Sequence, residues 1–189
     1  MKIIFKNTKP RQIKKKSRHK KMKGNKYTGI KFTIKVKKLV HQIRLLVGMT
    51  EADFNLLYVR IIKKLFRFYR SLVSDILQAV IRALKRRRGY LLPVGSDSEV
   101  SFREHEVWTY AVFTATVLQC LMLICPDQSI EHLKNIIPSQ GLLWLKRHSV
   151  LIEQWNAYLL DHDATVFAEL IHIRLEKEDE SESISFSSF

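Results

Sequence analysis

Apolar residues recur three or four positions apart over much of this chain. The longest series runs Phe54, Leu57, Ile61, Leu65, Phe68, Leu72, Ile76, Leu77, Val80 and Leu84. That spacing lays one stripe along a helix, so it predicts an amphipathic helix over residues 51–88, unbroken and longer than most. Thr50-Glu51-Ala52-Asp53 resembles a capping box, with two acids at the positive end of the helix dipole. Arg86-Arg87-Arg88 suits the opposite end, and Gly89 suits the stop. A different period precedes this segment. Ile30, Phe32, Ile34 and Val36 alternate with Lys31, Thr33, Lys35 and Lys37, which predicts a short strand with a lysine face or an extended arm of the same look.

From Val107 to Cys125 no residue carries a charge. Crossing a bilayer takes about 20 apolar residues, so the run could span a membrane; the central helix of a packed domain fits as well. The positive excess upstream favours a span with a cytoplasmic N-terminus. Against it stand Thr109, Thr114, Thr116 and Gln119, aromatics at one end only (Trp108 and Tyr110), and Glu104 and Glu106 where basic flanks are usual. Ser101-Phe102-Arg103-Glu104 reads as the start of this helix and Pro126 as its end.

Further on, Asp127 or Ser129 caps a short helix through Ile136, and Pro138 to Gly141 reads as a turn. Residues 142–148 and 150–160 follow with helical spacing around Trp144 and Trp155, and Asp163 caps a last helix over 164–176. The ends have too few apolar residues to offset the entropy of ordering, so both read as disordered. The expectation is an all-α chain in three parts: a basic, mostly disordered arm (1–40), a helical domain (41–176) and an acidic disordered tail (177–189). Ile3-Ile4-Phe5 is too short for the apolar core of a signal peptide.

Charge changes the picture most. The formal net charge is +15, and residues 1–50 hold 17 Lys and Arg with no acid. Residues 51–90 hold 10 against 3, and residues 91–189 reverse the balance with 6 against 15. A basic half ahead of an acidic half points to a polyanionic partner, nucleic acid or an anionic membrane surface. The candidate phosphate-binding residues are Lys14, Lys15, Lys16, Lys20 and Lys21 in the arm, with Arg82, Lys85, Arg86, Arg87 and Arg88 at the end of the long helix. Nothing reads as a sequence-specific recognition motif.

Other chemistry is sparse. The seven histidines show no metal-ligand spacing, and there is no phosphate loop or nucleophile elbow. No metal or cofactor is therefore assigned. Cys120 and Cys125, five apart on a helix, point to different faces and read as two buried unpaired thiols.

Three blocks carry a resemblance. His41–Val59 (HQIRLLVGMTEADFNLLYV), Gly89–Ala115 (GYLLPVGSDSEVSFREHEVWTYAVFTA) and Ile136–Leu160 (IIPSQGLLWLKRHSVLIEQWNAYLL) are similar, in order and character, to the TraI-like helicase/relaxase domain of MobH-type conjugative relaxases. The resemblance covers about residues 41–175 and leaves the arm outside. It implies an HD-like helical bundle, a bacterial cytoplasmic protein of a mobile element, DNA rather than RNA as partner, and contact with conjugative transfer machinery. In that family the TYAVF helix is expected to end in an His-Asp pair that binds a divalent metal for phosphodiester chemistry. Here Gln119 and Cys120 stand in that place, and neither is a hard-metal ligand. The family's histidine run after its first helix is missing too; Tyr69 to Asp75 passes straight on, and Asp75 alone lies near one expected ligand.

The expectation is thus a shortened, degenerate relative: nonspecific DNA binding, no catalytic residue and no cleavage. Two other readings stand beside it. One is a small membrane-associated protein spanning at 107–125, which the resemblance disfavours. The other is a helical protein-interaction module.

Overall fold

The computed structural model describes residues 32–161 and 165–172. The protein is all-α, with no strand among the described residues. The arm before residue 32, Asp163 with its cap, and the acidic tail lie outside the described residues.

The first helix, α1 (Ile34–Val47), replaces the expected strand and begins inside the stretch assigned to the basic arm. The alternation over 30–37 is real but short. Val36, Ile43 and Val47 are the buried residues, seven and four apart, and that helical register wins. Thr33 caps the start, its hydroxyl accepting from the Val36 amide, and Gly48 closes the end at φ 73°, a left-handed conformation suited to glycine.

Thr50 opens the next helix as expected, accepting from the Asp53 amide at 3.2 Å. This helix comprises α2 (Glu51–Phe54), a π-helical turn (Asn55–Val59) and α3 (Arg60–Phe68). It does not continue to Arg88. Tyr69 leaves helical geometry at φ −131°, ψ 45°, and its carbonyl accepts from the Leu72 and Val73 amides in a tight turn. Then α4 (Val73–Arg87) begins. The break was invisible to periodicity because Leu65, Phe68 and Leu72 keep the three-four spacing across it, with no Gly or Pro to mark it.

The uncharged run belongs to α5 (Ser98–Ile124), which starts four residues earlier than the Ser101 capping pattern suggested. Asp97 is the cap, its carboxylate accepting from the Val100 amide at 2.8 Å. Ser101 is buried in the first turns, with its hydroxyl 2.8 Å from that of Ser96. From Val107 onward α5 is apolar all round, so that part must be covered by other helices. The helix touches α4 most extensively, and also α1, α6 (Ile130–Lys134), α7 (Ser139–Lys146), α8 (Ser149–Leu160) and α9 (Val166–Leu170). Some 78% of its most apolar window is buried within the protein.

Each threonine of the run is satisfied inside the helix. Thr109, Thr114 and Thr116 donate to the carbonyls of His105, Tyr110 and Val112. Thr114 also accepts from Trp155 Nε1 on α8 at 3.2 Å, a polar tie through the core.

The C-terminal helices differ in detail from expectation. Ser129 caps α6. The Pro138–Gly141 stretch is the first turn of α7 rather than a loop, because proline's fixed φ suits helix entry. The last described helix, α9, spans only Val166–Leu170, with Ile171 and His172 beyond it non-helical. Cys120 and Cys125 are unpaired; Cys120 is buried and Cys125 half-buried.

Candidate nucleic-acid interface

The triple arginine at the end of α4 is not one cationic surface. Successive residues on a helix point about 100° apart, and here each reaches a different element. Arg88 donates to the Leu45 and Leu46 carbonyls at 2.7 and 3.2 Å, capping the C-terminus of α1. Arg86 reaches toward the Leu170 carbonyl of α9 at 3.5 Å. Arg87 is turned inward and only 3% exposed. It donates to the Tyr90 carbonyl at 2.8 Å and lies 3.3 Å from His105 Nδ1. Burial pushes its pKa down to about 10, still cationic at neutral pH.

Arg87 is therefore a tie between α4, the following loop and α5, and is removed from the candidate phosphate contacts. Arg82 and Lys85 remain exposed on α4. Lys14, Lys15, Lys16, Lys20 and Lys21 lie outside the described residues.

A stronger cationic feature lies on α3. Arg60, Lys63, Lys64, Arg67 and then Arg70 in the turn follow a three-four spacing, while Ile61, Ile62, Leu65 and Phe66 fill the opposite, buried face. No acidic residue occurs between Asp53 and Asp75. Among the described residues no ion pair engages Arg60, Lys63 or Arg70. Arg67 lies over the Phe68 ring at 5.5 Å and Arg70 over the Phe66 ring at 5.3 Å. This row was legible from its own spacing, the arithmetic that marked the apolar stripe.

The row runs into a cleft of about 560 Å³ between the end of α3, the end of α5 and α6. Leu121, Leu133 and Ile136 line its apolar part, with Lys64, Phe68, Tyr69 and the polar Gln128, His132 and Asn135 around them. Lys64 crosses to α6, donating to the Asn135 carbonyl at 2.7 Å. Partial burial and the neighbouring Arg60 lower its pKa. Burial and the Cys125 thiol raise that of the Tyr69 phenol.

The positions expected to carry a metal pair in the relaxase-like reading hold other chemistry. Gln119 is half-buried and Cys120 buried, with desolvation pushing the thiol up to about 12, far from a ready thiolate ligand. Asp75 is exposed in the first turn of α4. Among the described residues no three His, Cys, Asp or Glu side chains gather as a metal-binding group.

No family model, curated protein or solved structure matches the chain.

Proposed function

We propose that this protein binds DNA through its cationic surface, without sequence preference and without cutting it, as a shortened relative of the TraI-like relaxase domain. The observation that carries the binding reading is the α3 row, whose cations line one helix face and whose apolar residues are committed to the core. Arg82 and Lys85 add exposed charge on α4. Phosphate neutralisation by Lys and Arg is the sequence-independent part of nucleic-acid affinity. The relaxase-like reading rests on the three similar blocks of the sequence, His41–Val59, Gly89–Ala115 and Ile136–Leu160. On this reading the protein partner is conjugative transfer machinery and the compartment is the bacterial cytoplasm.

The binding test is affinity for a labelled oligonucleotide over a series of salt concentrations. Log K should fall linearly with log salt; a flat line excludes phosphate binding. For the non-cleaving part, plasmid nicking is assayed with Mg²⁺, Mn²⁺ or Ni²⁺. Metal-dependent nicking abolished by Asp75→Ala would overturn it.

A further inference from the structure

We propose that the cleft beside α3 takes an unpaired base of a single-stranded nucleic acid, with Phe68 as the stacking surface and the α3 row following the backbone. The proposal rests on the DNA-binding reading and narrows it to a strand type and a site.

Phe68 is 65% exposed at the mouth of the cleft, although it lies in the apolar series of its helix. An exposed aromatic ring flanked by cations on both sides in sequence, Arg67 and Arg70, is the pairing that single-strand binders use. The cations hold phosphates while the ring stacks on any base, because every base has a π-face. The cleft's volume of about 560 Å³ exceeds what one base needs, and its floor of Leu121, Leu133 and Ile136 suits a flat apolar face. Gln128 and His132 at the rim can donate and accept hydrogen bonds at a base edge. Lys64 bonds the Asn135 carbonyl, tying α3 to the end of α6 beside the cleft. A duplex keeps its bases stacked inside and could use only the cations.

The experiment uses the full chain and fluorescence anisotropy at one fixed salt concentration. Its probes are labelled oligothymidylate, oligouridylate and a DNA duplex of the same length. The wild type should bind one or both single strands about tenfold or more tighter than the duplex. Phe68→Ala should remove that preference by lowering single-strand affinity to about that of the duplex. The side chain is largely exposed, and a thermal melt checks that the variant is folded. Lys63→Gln should instead weaken all probes alike. Whichever single strand binds tighter identifies the natural source, and either result supports the site.

Equal, salt-dependent affinity for single strand and duplex would overturn this proposal while leaving nonspecific DNA binding intact. So would a Phe68→Ala variant that keeps the wild-type preference. Absence of binding to every probe would overturn both.

Discussion

The backbone of Gly141 in α7 lies against the ring of Tyr110 in α5, so closely that a Cβ on the glycine would stand 2.6 Å from the tyrosine Cζ. No side chain fits there unless the Tyr110 ring or one of the two helices shifts. Tyr110 is itself fully buried between Tyr58, at 5.2 Å and edge-on, and Trp144, at 5.5 Å. Gly141→Ala should therefore destabilise the protein by about 1–3 kcal/mol through overpacking. Chemical denaturation reads this directly. An alanine variant as stable as wild type would show that α7 does not seat on α5 in this way.

The Tyr110 hydroxyl has no hydrogen-bond partner among the described residues although it is buried. Tyr110→Phe should leave stability unchanged or raise it by up to about 1 kcal/mol, since an unpaired buried polar atom is removed. In the Gly141→Ala background the same change should recover part of the loss, because the hydroxyl is the atom the new methyl meets first. A double-mutant cycle that is strictly additive would contradict the contact.

Two threonines of α5 separate a local hydrogen bond from a tertiary one. Thr116 donates to the Val112 carbonyl within its own helix, whereas Thr114 also accepts from Trp155 Nε1. Thr116→Val replaces a satisfied hydroxyl by an isostere, and its stability should change little. Thr114→Val leaves a buried indole N–H unpaired and should cost about 1–2 kcal/mol. Equal effects at the two positions would mean the Trp155 bond contributes nothing.

His105 gives the fold a dependence on acid. Burial first, then Arg87 and Arg88, lower its pKa below the ordinary 6.5. The unfolded chain therefore takes up the proton at higher pH than the folded one. As pH falls below about 6.5 the unfolded state binds more protons, so stability declines until the folded pKa is reached and then levels off. His105 is only partly buried, which keeps the effect modest. Melting temperature between mildly alkaline and mildly acidic buffer should fall less in His105→Gln than in wild type. The same fall in both would assign the acid sensitivity elsewhere.

Helix content was legible because the three-four spacing persisted long enough to outweigh local alternatives. It failed where two patterns overlapped. At residues 30–37 the strand alternation was the shorter of the two, and at Tyr69 the chain turned without losing phase. The site was less legible for a different reason. Arg86, Arg87 and Arg88 are adjacent letters with three separate structural partners, and only packing reveals that. The α3 cations are present in the spacing of residues 60–70, interleaved with the apolar stripe that dominates the same stretch. The cleft draws on residues 64–69, 121 and 128–136, which no local pattern connects.

The α3 cations and Arg87 should respond to substitution in opposite ways. Arg60→Gln, Lys63→Gln and Arg70→Gln alter exposed side chains with no ion pair among the described residues, so melting temperature should hold nearly constant. Each charge that contacts a phosphate should lower the magnitude of the salt slope for single strands by roughly 0.7 when removed. Arg87→Gln should behave in the opposite manner. Arg87 is itself buried, and its hydrogen bond to the Tyr90 carbonyl and its contact with His105 are partly so, so stability should drop by about 2 kcal/mol. The slope of the remaining folded protein should stay unchanged. If Arg87→Gln lowered the slope and the α3 substitutions did not, the binding surface would lie at the end of α4, as the bare sequence suggests.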